Sequence, residues 1–269
     1  MVFKSLIIPL FLCSSLSFSE EPELRNPLTG FETAKTEVPD PHGFLGETLE
    51  YDISWGIMLV GKAYIKVERA VKISTGVYAY HIVSGARSTR FLQNFYPVKD
   101  LNEALLDVNL AGSYGYYKKI SEGSYKRSEW VFYDVQNRKF RGEKLRKGRK
   151  TEISGDLETG NVFDILSALY FFRTRDSKEK ESYDLKVNTQ KNWNLTVKNH
   201  GKEKIKTPAG KYRCHVLEPM VGEEGIFAPK KGKRLLVYVS ENERLPVMLK
   251  AEVFIGSVTA KLAKIKRKR

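Results

Sequence analysis

The chain has 269 residues, 41% hydrophobic, 12% aromatic and 29% charged, and 46 Lys and Arg against 32 Asp and Glu give a formal charge of +14. That composition is globular and excludes a collagen-like, mucin-like or wholly disordered chain. Two cysteines exclude a disulfide-built scaffold and a cysteine-rich zinc module, and the length allows one large β domain or two small ones.

Residues 1–19 (MVFKSLIIPLFLCSSLSFS) read as a secretory signal. Lys4 supplies the positive start, Ser5 to Leu16 the apolar stretch, and Ser17 and Ser19 the small residues before a cleavage point at Glu20. The stretch is too short to span a bilayer well, and no later run of about 18 apolar residues follows, so no transmembrane segment is expected. A lipoprotein signal ending at Cys13 fits less well, because Leu12 stands where processing requires a small residue. Loss of residues 1–19 leaves Cys214 as the only cysteine, expected to be a small buried apolar residue.

Residues 20–45, with Pro22, Pro27, Pro39 and Pro41, read as an extended leader. A single domain is expected over 46–262, followed by a basic tail at 263–269. In that domain Leu49, Tyr51, Ile53 and Trp55 alternate with polar residues, the pattern of a half-buried strand. Further strands are expected at 63–67, 77–83, 113–120, 124–134, 183–187, 193–197, 235–239, 247–255 and 258–262. Ser121-Glu122-Gly123 and Thr207-Pro208-Ala209-Gly210 mark turns. One segment differs: Val162, Ile165, Leu166 and Leu169 share a helical face, Asn161 stands at a cap position and Arg173 in the last turn. The expected fold is mainly β: a single strongly curved antiparallel sheet, a β-roll or half-barrel, with one packed α-helix near 161–173.

After loss of the signal the net charge is +13, and two segments carry all of it: Arg138 to Lys150, with eight basic residues and one acidic, and Lys261 to Arg269, with six basic and none acidic. Arg138, Lys139, Arg141, Lys144, Arg146, Lys147, Arg149 and Lys150 are therefore candidates for binding a polyanion such as an anionic membrane surface. A solvated hairpin and frayed tail is the competing reading. Export, and the single aromatic Phe140 within the run, argue against nucleic acid.

No GxGxxG, Walker loop, HExxH or GxSxG occurs, and the four histidines are widely spaced. No catalytic residue, metal ligand or cofactor site is assigned. Asp100, Asp134 and Asp164 stand beside apolar residues, where turn, strand-end and helix-cap roles outweigh catalysis. Trp55, Tyr114, Tyr116, Trp130 and Phe132 are the candidate ligand-binding aromatics. Period two places Tyr114 with Tyr116 on one face and Trp130 with Phe132 on one face, as a greasy surface or as core.

The segments Gly46-Glu47-Thr48-Leu49-Glu50-Tyr51 with Trp55, Gly61-Lys62-Ala63, Tyr96-Pro97-Val98-Lys99-Asp100, Asp164-Ile165-Leu166-Ser167-Ala168-Leu169-Tyr170 with Arg173, Thr207 to Tyr212, Pro246-Val247 and Gly256 to Ala260 resemble, in this order, a bacterial family catalogued as domain of unknown function 3108. The resemblance implies an exported bacterial protein with a strongly bent antiparallel β architecture and no known catalytic residues. A looser likeness is to lipoprotein carriers whose open β half-barrel shelters an acyl chain, a fold-level analogy only.

The expected function is that of a non-enzymatic protein exported to the periplasm or outer-membrane periphery. It would bind a lipid, glycolipid or envelope polymer on a curved sheet, with its basic segments drawn to an anionic membrane. The alternatives are an envelope-polymer hydrolase using carboxylates and a scaffold pairing through a sheet edge. A continuous apolar cavity would favour a carrier, a filled interior a scaffold.

Overall fold

The computed structural model describes residues 23–34, 38–176, 181–221, 234–252 and 256–267. The signal segment, Cys13 and the last two residues of the tail lie outside them. The described strands are β1 (Thr48–Trp55), β2 (Met58–Ser74), β3 (Val77–Ser88), β4 (Lys99–Asp107), β5 (Ser113–Glu122), β6 (Tyr125–Asp134), β7 (Lys139–Arg146) and β8 (Arg149–Asp156), then β9 (Ser182–Asn188), β10 (Asn192–Thr207), β11 (Gly210–Val221), β12 (Leu235–Ser240), β13 (Pro246–Glu252) and β14 (Ser257–Lys266). Helix α1 is Arg90–Gln93 and helix α2 is Ile165–Arg173.

All fourteen strands form one antiparallel sheet in the order β8-β7-β6-β5-β4-β3-β2-β1-β14-β13-β12-β11-β10-β9. Each half is a meander, and β14 returns to pair with β1, setting Trp55 opposite Val258. The sheet is curved but not closed. The seam between edge strands β8 and β9 is bridged by other means. Phe163 pairs in parallel with Val187, the Tyr133 hydroxyl donates to the Asn188 carbonyl at 2.7 Å, and Asn192 Nδ2 donates to the Asp156 carbonyl at 2.7 Å.

The curl brings one face of both halves together over α2. Leu49 and Tyr51 of β1, Ile65 and Val67 of β2, and Tyr80 and Ile82 of β3 meet Leu195 and Val197 of β10, Val216 of β11 and Leu262 of β14, with Ala168, Tyr170 and Phe172 of the helix among them. Burial of this apolar face is the main stabilising term. On the other face Leu28 packs with Val71, Ala79, Leu105 and Tyr117, so part of the 20–45 stretch lies on the sheet.

Three expectations change. The helix starts later than Asn161: Asp164 caps it, accepting from the backbone N–H of Leu166 at 2.8 Å and of Ser167 at 3.1 Å, because Phe163 is held extended by its pairing with Val187. Its deepest residues are Ser167, Ala168, Tyr170, Phe172 and Arg173, not the Ile165–Leu166–Leu169 stripe. Enclosure by a curled sheet buries more than one stripe. The third change concerns Tyr114 and Tyr116, which part company. A bulge lets Leu105 face Gly115 and Leu106 face Ser113, leaving Tyr114 as the extra residue. Tyr116 then joins the cluster with Val131 and Tyr133, and Tyr114 packs on the opposite face near Tyr117.

Candidate functional site

A buried ion pair joins Glu47, just before β1, to Arg173, at the end of α2. Arg173 Nη1 and Nη2 donate to the two Glu47 oxygens at 2.6 and 2.9 Å, and Nε donates to the Arg244 carbonyl at 2.9 Å. Both side chains are 2% exposed, and the guanidinium lies 4.7 Å from the Phe44 and Tyr170 rings alike. An open cleft of about 520 Å³ lies above it, lined also by His42, Glu243, Arg244 and Arg267. Its cations are matched: Arg244 meets Asp176 at 2.8 Å, and Arg267 lies 3.5 Å from Glu243 and 3.7 Å from Glu47. A bidentate, stacked arginine of this kind clamps the helix to the sheet. It offers neither a nucleophile nor an unmatched charge.

Of the candidate aromatics, Trp130 and Phe132 do share a face, 5.3 Å apart, with Phe31 5.8 Å from Phe132. Tyr114 is on that same outer face and donates to Asp107 at 2.7 Å. Tyr116 points inward and donates to Glu129 at 3.1 Å, and Trp55 stands apart at the end of β1. These five therefore line no common surface.

The eight candidate cations are similarly divided. Arg138 lies in the turn before β7; Lys139 and Arg141 alternate with inward-facing Phe140 and Gly142. Lys144 donates to Gln190 at 3.3 Å, and Lys150 pairs with Glu143 at 2.5 Å. What stays together is the hairpin tip, where Arg146, Lys147 and Arg149 are exposed, with Arg146 5.4 Å from the Tyr125 ring.

That tip belongs to a rim that sequence reading missed. In an antiparallel meander the turns β1–β2, β3–β4, β5–β6 and β7–β8 all fall at one end of the sheet. The first carries Ile57, Met58 and Leu59, all exposed, Ile57 fully. The second carries α1, with Phe91 and Phe95 each 70% exposed and their rings 5.5 Å apart. The two turns are adjacent: Gly61 faces Ser88, and the Thr89 N–H donates to the Val60 carbonyl at 2.9 Å. Arg87, Arg90 and Lys99 stand exposed around them. The legible signal was an apolar run, Ile57 to Val60, directly after a turn glycine, where polar residues are the rule.

A carboxyl pair sits at the root of the second turn. Asp100 accepts from the Ser121 N–H at 2.9 Å, and the Gly123 N–H donates to the Pro97 carbonyl at 2.8 Å. Burial, and then the neighbouring Asp100 charge, push the Glu122 carboxyl up to about 8. Burial likewise raises Asp100. The cleft above Arg173 does not reach this pair. Among the described residues no group of three or more His, Cys, Asp or Glu could hold a metal ion, and no helix is long and apolar enough to cross a membrane.

A curled antiparallel sheet, unclosed and packed around a helix, defines a barrel-like β protein. The chain belongs to the family described as protein of unknown function (DUF3108), whose model matches residues 50–263. Its Glu47 falls in one segment of the family resemblance and Tyr170 and Arg173 in another, and they meet at the buried ion pair. The fold is similar to the crystal structure of a β-barrel-like protein of domain of unknown function DUF1849 from Brucella abortus, at a TM-score of 0.54 and 8% identity, covering 83% of this chain and 98% of that one. No curated protein matches the chain.

Proposed function

We propose that this is an exported, non-enzymatic envelope protein that meets envelope lipid or polymer with its outer surface and encloses no lipid. The observation that carries this reading is the packed interior. Tyr170 is fully buried and Phe172 nearly so, within a cluster that holds strand residues of both halves of the sheet, so an acyl chain would have to displace α2 from its ion pair. A hydrolase would need two carboxylates facing a polymer in a cleft, and neither the cleft above Arg173 nor that beside His200 is lined by the paired carboxyls of Asp100 and Glu122.

Denaturing solvent extraction of the purified protein, followed by mass spectrometry, tests the reading. No lipid is expected at stoichiometric yield, and one lipid per chain would overturn it. Fractionation with N-terminal sequencing tests export: the expected chain begins at Glu20 and leaves the cytosol, and a cytosolic chain retaining residues 1–19 would contradict it.

A further inference from the structure

Ile57, Met58, Leu59, Phe91 and Phe95 belong to none of the three core clusters, and their composition is unusual for a solvated turn. We propose that it docks the protein on a bilayer bearing anionic headgroups, with Ile57, Met58, Leu59, Phe91 and Phe95 entering the interfacial layer and Arg87, Arg90, Lys147 and Arg149 contacting the headgroups. This rests on the reading that the outer surface is what meets the envelope, and it names the surface and the lipid class.

Three observations converge. The apolar side chains are exposed together at neighbouring turns, tied by the Thr89 to Val60 hydrogen bond, and large exposed apolar groups in a cluster mark an interaction site. The cations at this end of the sheet are exposed; among the acids there, Asp52 holds Lys62 at 2.9 Å, Glu143 holds Lys150 and Glu122 is buried beside Asp100, while Glu152 is exposed on β8. Apolar points beside Arg87 and Arg90, with the Lys147–Arg149 tip two turns along the same end of the sheet, complement an anionic bilayer, where each inserted side chain and each cation adds to binding.

The same features disfavour a second copy of this chain as the occupant. Two rims facing each other would bring the Lys147 and Arg149 tips into like-charge contact. The apolar groups also project from two separate turns.

The experiment is co-sedimentation with vesicles of phosphatidylcholine containing phosphatidylglycerol, compared with pure phosphatidylcholine. Binding is expected only to the anionic vesicles and falls as salt is added. Ile57→Ser/Phe91→Ser/Phe95→Ser is expected to weaken it about 100-fold, from about fivefold per partly inserted side chain. Lys147→Ser/Arg149→Ser is expected to weaken it about 25-fold, from about fivefold per cation. All five residues are exposed, so melting temperatures should hold.

A second readout reports insertion directly. In a Cys13→Ser background, Cys214 is fully buried, so Ile57→Cys can be labelled selectively with a polarity-sensitive dye. Its emission should shift to the blue on phosphatidylglycerol vesicles. No shift, vesicle binding unchanged in the triple serine variant, or a dimer in solution that the triple variant abolishes would each overturn the proposal. Stoichiometric lipid within the purified protein would overturn the packed-interior reading alone; a lipid-free protein that ignores anionic vesicles would overturn the rim alone.

Discussion

Arg173→Met removes the clamp that holds α2. The substitution keeps side-chain length but deletes three hydrogen bonds, at 2.6, 2.9 and 2.9 Å, and the stacking on Phe44 and Tyr170. It leaves Glu47, 2% exposed, with Arg267 at 3.7 Å as its remaining cation. Breaking a buried pair from one side costs about 3–5 kcal/mol, which for a domain of this size lowers the melting temperature by about 6–20 °C. Urea unfolding followed by tryptophan fluorescence measures the loss. Glu47→Leu/Arg173→Met removes both charges and should regain about 1–3 kcal/mol over Arg173→Met alone, because an apolar pair has no desolvation penalty to offset. A loss below about 1 kcal/mol for the single variant, or a double variant weaker than the single one, would refute the clamp.

Glu122 supplies a pH test. Its folded pKa, about 8, lies above the ordinary 4.5, so its contribution to stability is complete below pH 4.5 and is lost as the pH rises toward 8. Glu122→Gln should remove that slope, read as a melting temperature that gains over wild type at pH 8.5 and not at pH 4.5; an equal change at both would contradict it. Gly142→Ala would place a Cβ 2.0 Å from the Trp130 carbonyl oxygen, a backbone atom. It should therefore destabilise by about 1–3 kcal/mol in denaturant titration. Burial lifts the Cys214 thiol to about 11, so a disulfide reagent should leave it unmodified in the native Cys13→Ser protein and modify it once urea unfolds the chain.

Strands whose two faces differ were legible. β1 alternates Leu49 and Tyr51 with polar residues, and β6 sets Trp130 and Phe132 opposite Val131 and Tyr133. β4 escaped because Ala104 to Asp107 are buried on both faces, which erases period two. β7 and β8 escaped because their outward positions are Lys, Arg and Glu, and Gly142 stands where a large inward residue would have marked the strand. The helix start was misplaced because pairing of Phe163 with Val187 joins residues 24 apart in sequence, and a local pattern cannot register such a contact. Period two sets Tyr114 and Tyr116 on one face because a bulge leaves no mark in residue spacing. The Glu47 to Arg173 pair was foreshadowed only in that both residues fall in segments of the family resemblance. Counting charge along Arg138–Lys150 found the right neighbourhood, but strand alternation then dispersed all except the hairpin tip.

Hydrogen exchange of the full chain, with and without phosphatidylglycerol vesicles, bears most directly on a protein that works through one rim around a packed interior. Slowed exchange is predicted over 56–60, 89–98 and 146–150, with the amides of 165–173 as protected as in the free protein. Faster exchange in 165–173 on vesicles, or no change anywhere along 56–60 and 89–98, would contradict it.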